Sequence, residues 1–93
     1  MASATAQVPT KSGSRYLQQL CKHWSHKFET DFDAERGTIA LPIGTATMVA
    51  APDSLNVTVT TDEADGLDRL KEVVASHLDR FAFREAPLTF DWR

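Results

Sequence analysis

The chain of 93 residues contains a single cysteine and no long apolar run. One cysteine cannot form an internal disulfide, so packing must hold the domain together, which fits a reducing compartment. No stretch is long and apolar enough to cross a bilayer, and the first residues contain no apolar segment of secretory length. These absences predict a cytoplasmic protein that has no membrane partner.

The chain also lacks an excess of basic residues. Its net charge is −3, with 10 Lys and Arg against 13 Asp and Glu. Nonspecific binding to nucleic acid needs a basic face that neutralises phosphates, and binding to anionic membranes also needs a positively charged protein surface. The composition therefore argues against nucleic acid as a partner, and the length indicates one domain.

Common enzyme motifs are missing as well. The sequence has no Gly-rich phosphate loop, no HExxH motif and no nucleophile elbow. This favours a non-enzymatic protein. The alternative is a small enzyme in which His77 acts as acid or base, because histidine exchanges protons near neutral pH.

The first third of the chain predicts a tail followed by a helix. Residues 1–13 are mostly small and polar, which predicts a flexible N-terminal tail before a single domain over residues 14–93. Ser14 is a suitable N-cap. Apolar residues then recur three and four positions apart, and this spacing predicts one core-facing helical stripe. The stripe consists of Leu17, Leu20, Cys21, Trp24 and Phe28.

The middle of the chain predicts strands, and the end predicts a second helix. The clearest strand is "LNVTVT", in which apolar residues and threonines alternate. "TTDE" at Thr60–Glu63 resembles a capping box, and an apolar stripe continues to Phe81. We therefore expect an α+β two-layer sandwich with a four-stranded, mainly antiparallel sheet and two helices on one face. The expected order is α-β-β-β-β-α, with a short final strand at "LTFDW".

The stretch "CKHWSH" places Cys21, His23 and His26 close together, as in some metal sites. On a regular helix, however, Cys21 and His23 lie ~200° apart, so one ion cannot reach all three side chains. The simplest interpretation is a buried cysteine that packs as a small hydrophobe, with two histidines on the surface. The alternative is a metal-binding protein that uses His23 and His26, with His77 as a further ligand.

Basic residues near the helix ends suggest a second kind of site. Arg80 and Arg84 lie one turn apart near the end of the second helix, where cations favour the negative end of the helix dipole. If the two helices lie side by side, these arginines and Lys22 and Lys27 could together bind an anion.

Three stretches carry a family resemblance: "YLQQLCKHWSHKF", "LP-G" and "RLKEVVASHLDRFAFRE-PL--W". Over residues 14–92 the chain resembles a small bacterial family, the domain of unknown function numbered twenty-two-eighteen. Members of that family also occur fused to siderophore-interacting flavoproteins that reduce ferric siderophores. The resemblance implies a role in siderophore-iron handling, but this chain has no flavin domain, so reductase activity is not implied.

The leading hypothesis is a non-enzymatic accessory or binding module for siderophore-iron handling. Its ligand would be a ferric siderophore, which is often anionic, or a partner siderophore-interacting flavoprotein. The residues expected to hold it are Lys22, His23, His26, Arg80 and Arg84. No cofactor is predicted apart from the metal ion of the alternative hypothesis. A sheet with exposed edges also suggests a homodimer.

Overall fold

The structure is a computed structural model that describes residues 2–82 and 88–93. The elements in chain order are strand β1 (Ala2–Pro9), helix α1 (Gly13–Trp24), strands β2 (Glu29–Phe32), β3 (Arg36–Leu41), β4 (Gly44–Ala50) and β5 (Ser54–Thr61), and helix α2 (Leu67–Phe81). A short 3₁₀ turn at Ala64–Gly66 leads into α2.

The strands form one antiparallel sheet in the order β1-β5-β4-β3-β2. Helix α1 packs mainly on β2, β3 and β4, while α2 packs on β5 and β1 and against α1. The predicted α+β fold with two helices and an antiparallel sheet is therefore confirmed. The predicted strand number and order are wrong, because the described residues contain five strands and begin with β1.

Strand β1 occupies most of the region for which the sequence predicted a flexible tail. It pairs with β5 along its whole length, from Ala2 opposite Thr61 to Pro9 opposite Ser54. Ala4, Ala6 and Val8 alternate with exposed residues and are buried in the core. Two of these three side chains are single methyl groups, so the period of two was not apparent in the sequence.

The C-terminal segment lies along the free edge of β1. Trp92 forms an isolated bridge with Ala6, the Thr5 N–H donates to the Arg93 carbonyl at 3.1 Å, and the Arg93 N–H donates to the Thr5 carbonyl at 2.8 Å. The short final strand expected at "LTFDW" is thus reduced to a single bridge. The predicted homodimer stays a prediction.

Helix α1 starts and ends earlier than the apolar spacing predicted. It begins at Gly13, and Ser14 lies within it, donating from Oγ to the Ala34 carbonyl at 2.5 Å. The helix ends at Trp24, and the Phe28 N–H donates to the Trp24 carbonyl at 2.9 Å across a turn. Phe28 and His26 therefore lie outside the helix. The spacing of apolar residues three and four positions apart continues to Phe28, so it did not indicate this earlier end.

Helix α2 begins later than the capping box suggested. Thr60 and Thr61 still pair within the sheet, as the last residues of β5. The Thr61 Oγ1 accepts a hydrogen bond from the Glu63 N–H at 3.1 Å, so it closes the turn rather than capping α2. The helix starts at Leu67, and its predicted buried stripe is present at Leu70, Val74 and Leu78. No helix in residues 2–82 or 88–93 is long and apolar enough to span a bilayer.

A close contact between α1 and β3 sets the position of α1. A Cβ added at Gly37 would lie 2.7 Å from the Cys21 Sγ and 3.3 Å from the Phe32 Cβ. Cys21 and Leu17 are fully buried here, as the helical stripe predicts. Only a residue without a side chain allows the helix to approach the strand this closely.

The Gly37→Ala variant should therefore be less stable, by about 1–3 kcal/mol in its free energy of unfolding, since the added methyl group overpacks the core. Denaturant unfolding measures the change. Gly66→Ala is the matched control, because the nearest atom to its added Cβ is 3.7 Å away. Adding Cys21→Ala should recover part of the loss at Gly37. Equal stability of Gly37→Ala and Gly66→Ala would contradict the proposed close contact.

Burial raises the pKa of the Cys21 thiol from 9.0 to about 11. The thiolate is the reactive form, so a disulfide reagent should label the folded chain far more slowly than the denaturant-unfolded chain. Because the folded pKa is the higher one, the thiol's contribution to stability is complete below pH 9 and declines as the pH rises toward 11. Cys21→Ala should lack this decline. Equally fast labelling of folded and unfolded chains would contradict the burial of Cys21.

Candidate functional site

The two helices bring four ring-bearing side chains together: His23 and Trp24 from α1, and His77 and Phe81 from α2. The ring centroids of Trp24 and His77 are 4.8 Å apart, and those of His23 and His77 are 5.8 Å apart. The Phe81 and His23 rings are inclined at 68° in an edge-to-face arrangement, with their centroids 5.8 Å apart. We call these four residues the helix-interface cluster. Trp24 is buried in it, and His23 is exposed at its rim.

A groove of about 310 Å³ borders this cluster. Three segments form its walls: the C-terminal end of α1 with the turn after it, the connection between β3 and β4, and one face of α2. Its lining residues are Trp24, Phe28, Leu41, Pro42, Ile43, Arg69, Val73 and His77. Six of these eight side chains are apolar or aromatic, so the groove combines an apolar floor with two polar groups.

The polar groups of the groove come from α2. Arg69, Val73 and His77 follow one another at intervals of four residues, which places them on one helical face. The His77 Nδ1 lies 2.7 Å from the Val73 carbonyl oxygen. A carbonyl only accepts, so Nδ1 carries the hydrogen and donates it. In the neutral ring, Nε2 then has the free lone pair.

Arg69 supplies the positive charge of the groove. Its side chain is exposed, and in the part of the chain that the structure describes it has no hydrogen bond or ion pair. The neighbouring ion pair joins Lys71 to Asp68 at 3.6 Å and leaves Arg69 out. Its guanidinium can therefore donate to a ligand. A planar, two-pronged donor of this kind matches a carboxylate or a similar pair of anionic oxygens.

Of the residues predicted for metal binding, the structure brings two together. His23 and His77 lie side by side across the two helices, while His26 lies on the exposed turn after α1. Cys21 is buried below its helix with a raised thiol pKa, so it does not join them. Within residues 2–82 and 88–93, no group of three or more His, Cys, Asp or Glu side chains could hold an ion.

Two of the residues predicted for anion binding, Lys22 and Arg80, do not line the groove. Lys22 lines a different hollow, which runs along the exposed side of α1 and also includes Lys11 and Arg15. Arg80 is exposed on α2 and has no ion pair among the described residues. Arg84 lies outside the described residues. Among the described residues, the groove therefore combines His77 with Arg69, and Arg80 is not part of its lining.

Sequence reasoning missed Arg69 and the apolar walls of the groove. Trp24 and Phe28 were assigned to packing, and both do pack, with ring centroids 6.1 Å apart. Two signals were available: the "LP-G" stretch that marks the β3–β4 connection, and the four-residue spacing of Arg69, Val73 and His77. Neither signal says which other segment packs beside it, so neither could define the groove.

A family model described as "Uncharacterized protein conserved in bacteria (DUF2218)" matches residues 5–93. Among solved structures, the chain is similar to one described as "NMR structure of PA4090 from Pseudomonas aeruginosa", with 36% sequence identity and a TM-score of 0.83. That similarity covers 100% of this chain and 96% of the other. No curated protein matches the chain. The chain therefore belongs to the uncharacterised bacterial protein family DUF2218, as the resemblance of its two helical stretches predicted.

Proposed function

We propose that this domain is a non-enzymatic binding module that holds an aromatic, anionic small molecule in the groove beside Trp24. One observation carries the proposal. The same groove contains aromatic walls, an oriented imidazole at His77, and the Arg69 guanidinium, which has no ion pair within residues 2–82 and 88–93.

The walls favour a flat apolar group. The Trp24 and Phe28 rings are steeply inclined to each other at 73°. Trp24 is already buried, so a ligand ring would cover mainly the half-buried Phe28, Leu41 and Ile43. Removing this apolar surface from water contributes roughly 25 cal/mol per Å², and contact with the Phe28 ring adds to it. The volume of about 310 Å³ lies at the small end of ligand pockets, which suits one substituted aromatic ring.

The two polar groups would fix the ligand's orientation. Arg69 can donate two parallel hydrogen bonds to a carboxylate or to a pair of phenolate oxygens. The His77 Nε2 can accept a hydrogen bond from a ligand hydroxyl, because Nδ1 is already bound to the Val73 carbonyl. Together these groups select an aromatic acid or catechol over a plain hydrocarbon.

Aryl siderophores share part of this chemistry. In their ferric and gallium complexes, each catecholate arm is a flat ring whose two adjacent anionic oxygens can accept from Arg69, while only the free, protonated arm has a hydroxyl for His77. A single aryl arm fits the groove volume, with the remainder of a ferric complex outside. The groove thus supports the siderophore-iron role that the family resemblance implies. Docking onto a siderophore-interacting flavoprotein stays a prediction, because it involves surfaces beyond the groove.

The proposal gives His77 a binding role rather than a catalytic one. In the part of the chain described, its hydrogen bond goes to a backbone carbonyl, and it has no hydrogen bond to a carboxylate, hydroxyl or thiol. Acid–base catalysis by histidine usually relies on a partner that orients the ring toward a reacting group. The alternative of a small enzyme with His77 as acid or base stays a prediction.

We expect 2,3-dihydroxybenzoate, and the gallium(III) complex of a tricatecholate siderophore, to bind saturably to tag-free protein. Amide shifts in an NMR titration should cluster at Trp24, Phe28, the β3–β4 connection and α2 from Arg69 to His77. Arg69→Gln should weaken binding about tenfold or more, because a charge-assisted hydrogen bond contributes roughly 1.5–3 kcal/mol.

Arg80→Gln is the matched control, since it removes the same charge from the same helix without altering the groove lining. Cyclohexanecarboxylate lacks the aromatic ring and benzamide lacks the negative charge, so the two compounds test these features separately. Both should bind more weakly than 2,3-dihydroxybenzoate. Equal losses in the Arg69 and Arg80 variants would mean that net charge attracts the ligand. Absence of saturable shifts with either aromatic probe would refute the groove as the binding site.

A further inference from the structure

His23 and His77 lie side by side at the rim of the helix-interface cluster. The ligand proposed for the groove contacts His77 but does not involve His23. His23 is contributed by α1 and His77 by α2, and their ring planes are inclined at 41° with centroids 5.8 Å apart. They are 54 positions apart in the chain, so only the packing of the two helices brings them together.

This spacing is close to what one metal ion requires. Two imidazoles bound to a tetrahedral ion through nitrogens at about 2.0–2.1 Å have ring centroids about 5 Å apart. The observed 5.8 Å differs from that value by an amount that side-chain rotation can supply. Exposure of His23 leaves it free to make that rotation.

The hydrogen bonding of His77 also matches that of a metal ligand. Its Nδ1 donates to the Val73 carbonyl at 2.7 Å, which directs the Nε2 lone pair away from α2. Metal-ligating histidines usually donate their second N–H in this way, which fixes the tautomer and the ring orientation. The Trp24 ring, whose centroid lies 4.8 Å from that of His77, further limits the rotation of the His77 ring.

We propose that His23 and His77 form a two-histidine chelate for a borderline divalent ion such as Zn²⁺, Ni²⁺ or Cu²⁺. Imidazole ligands select these ions over Mg²⁺ and Ca²⁺, which require oxygen ligands. The described residues provide no third strong ligand beside the pair. The remaining coordination positions therefore belong to water or to a small exogenous ligand. Cys21 and His26, which the sequence motif associates with His23, have no part in this chelate.

The test is a titration of tag-free protein with ZnCl₂ and separately with NiCl₂. Binding is measured by calorimetry and by the histidine ring signals in NMR. We expect binding of one ion per chain, with shifts at both His23 and His77, and no saturable response to MgCl₂. Acidification should weaken binding, because the ligating imidazoles must be neutral. His23→Gln and His77→Gln should each weaken it at least tenfold.

His26→Gln is the matched control and should leave the affinity unchanged. Arg69→Gln should also leave it unchanged, which separates this site from the proposed aromatic-anion site. Since His77 is half-buried, its variant could lose stability, so the exposed His23 provides the decisive variant. No saturable binding, or an equal loss in His23→Gln and His26→Gln with none in His77→Gln, would overturn the proposal.

Discussion

The contact between Cys21 on α1 and Gly37 on β3 is the constraint on which the rest of the structure depends. The absence of a side chain at Gly37 lets the helix approach the strand until the Cys21 Sγ lies 2.7 Å from where a Cβ at position 37 would be. This contact fixes the rotation of α1 about its axis. With Cys21 and Leu17 directed at the sheet, Trp24 lies one turn further on at the boundary with α2. A buried thiol with a raised pKa is a consequence of this packing and not evidence of reactivity.

The same rotation explains why the polar residues are arranged as they are. His23 precedes Trp24 by one position and therefore lies toward α2, where it meets His77. Lys22, one position earlier, is turned by a further ~100° and lines the hollow along the exposed side of α1 instead. Cys21 in the core, Lys22 in the hollow and His23 in the helix-interface cluster thus have three different surroundings, so the linear motif "CKHWSH" does not define a single site.

The groove depends on an early end to α1. If the helix continued to Phe28, that ring would lie further along the helix axis; the turn after Trp24 instead folds it back beside the β3–β4 connection. His77 is shared by the groove and the histidine pair, and one backbone hydrogen bond orients it for both. The similarity to the Pseudomonas aeruginosa structure extends over the whole chain, so the two proteins share the complete fold.

The sequence by itself determined the elements whose signals are local. The stripe from Leu17 to Trp24, the alternation in β5 and the stripe of α2 each predict which face is buried, because the period of a helix or strand appears within a few residues. The tertiary structure alone decided the rest. Strand β1 has weak local signals and forms because β5 provides its hydrogen-bonding partner. The meeting of His23 with His77, and of Arg69 with Trp24 and Phe28 around one groove, joins residues distant in the chain. Such contacts depend on which surfaces pack together, and a single sequence carries no periodic signal for that.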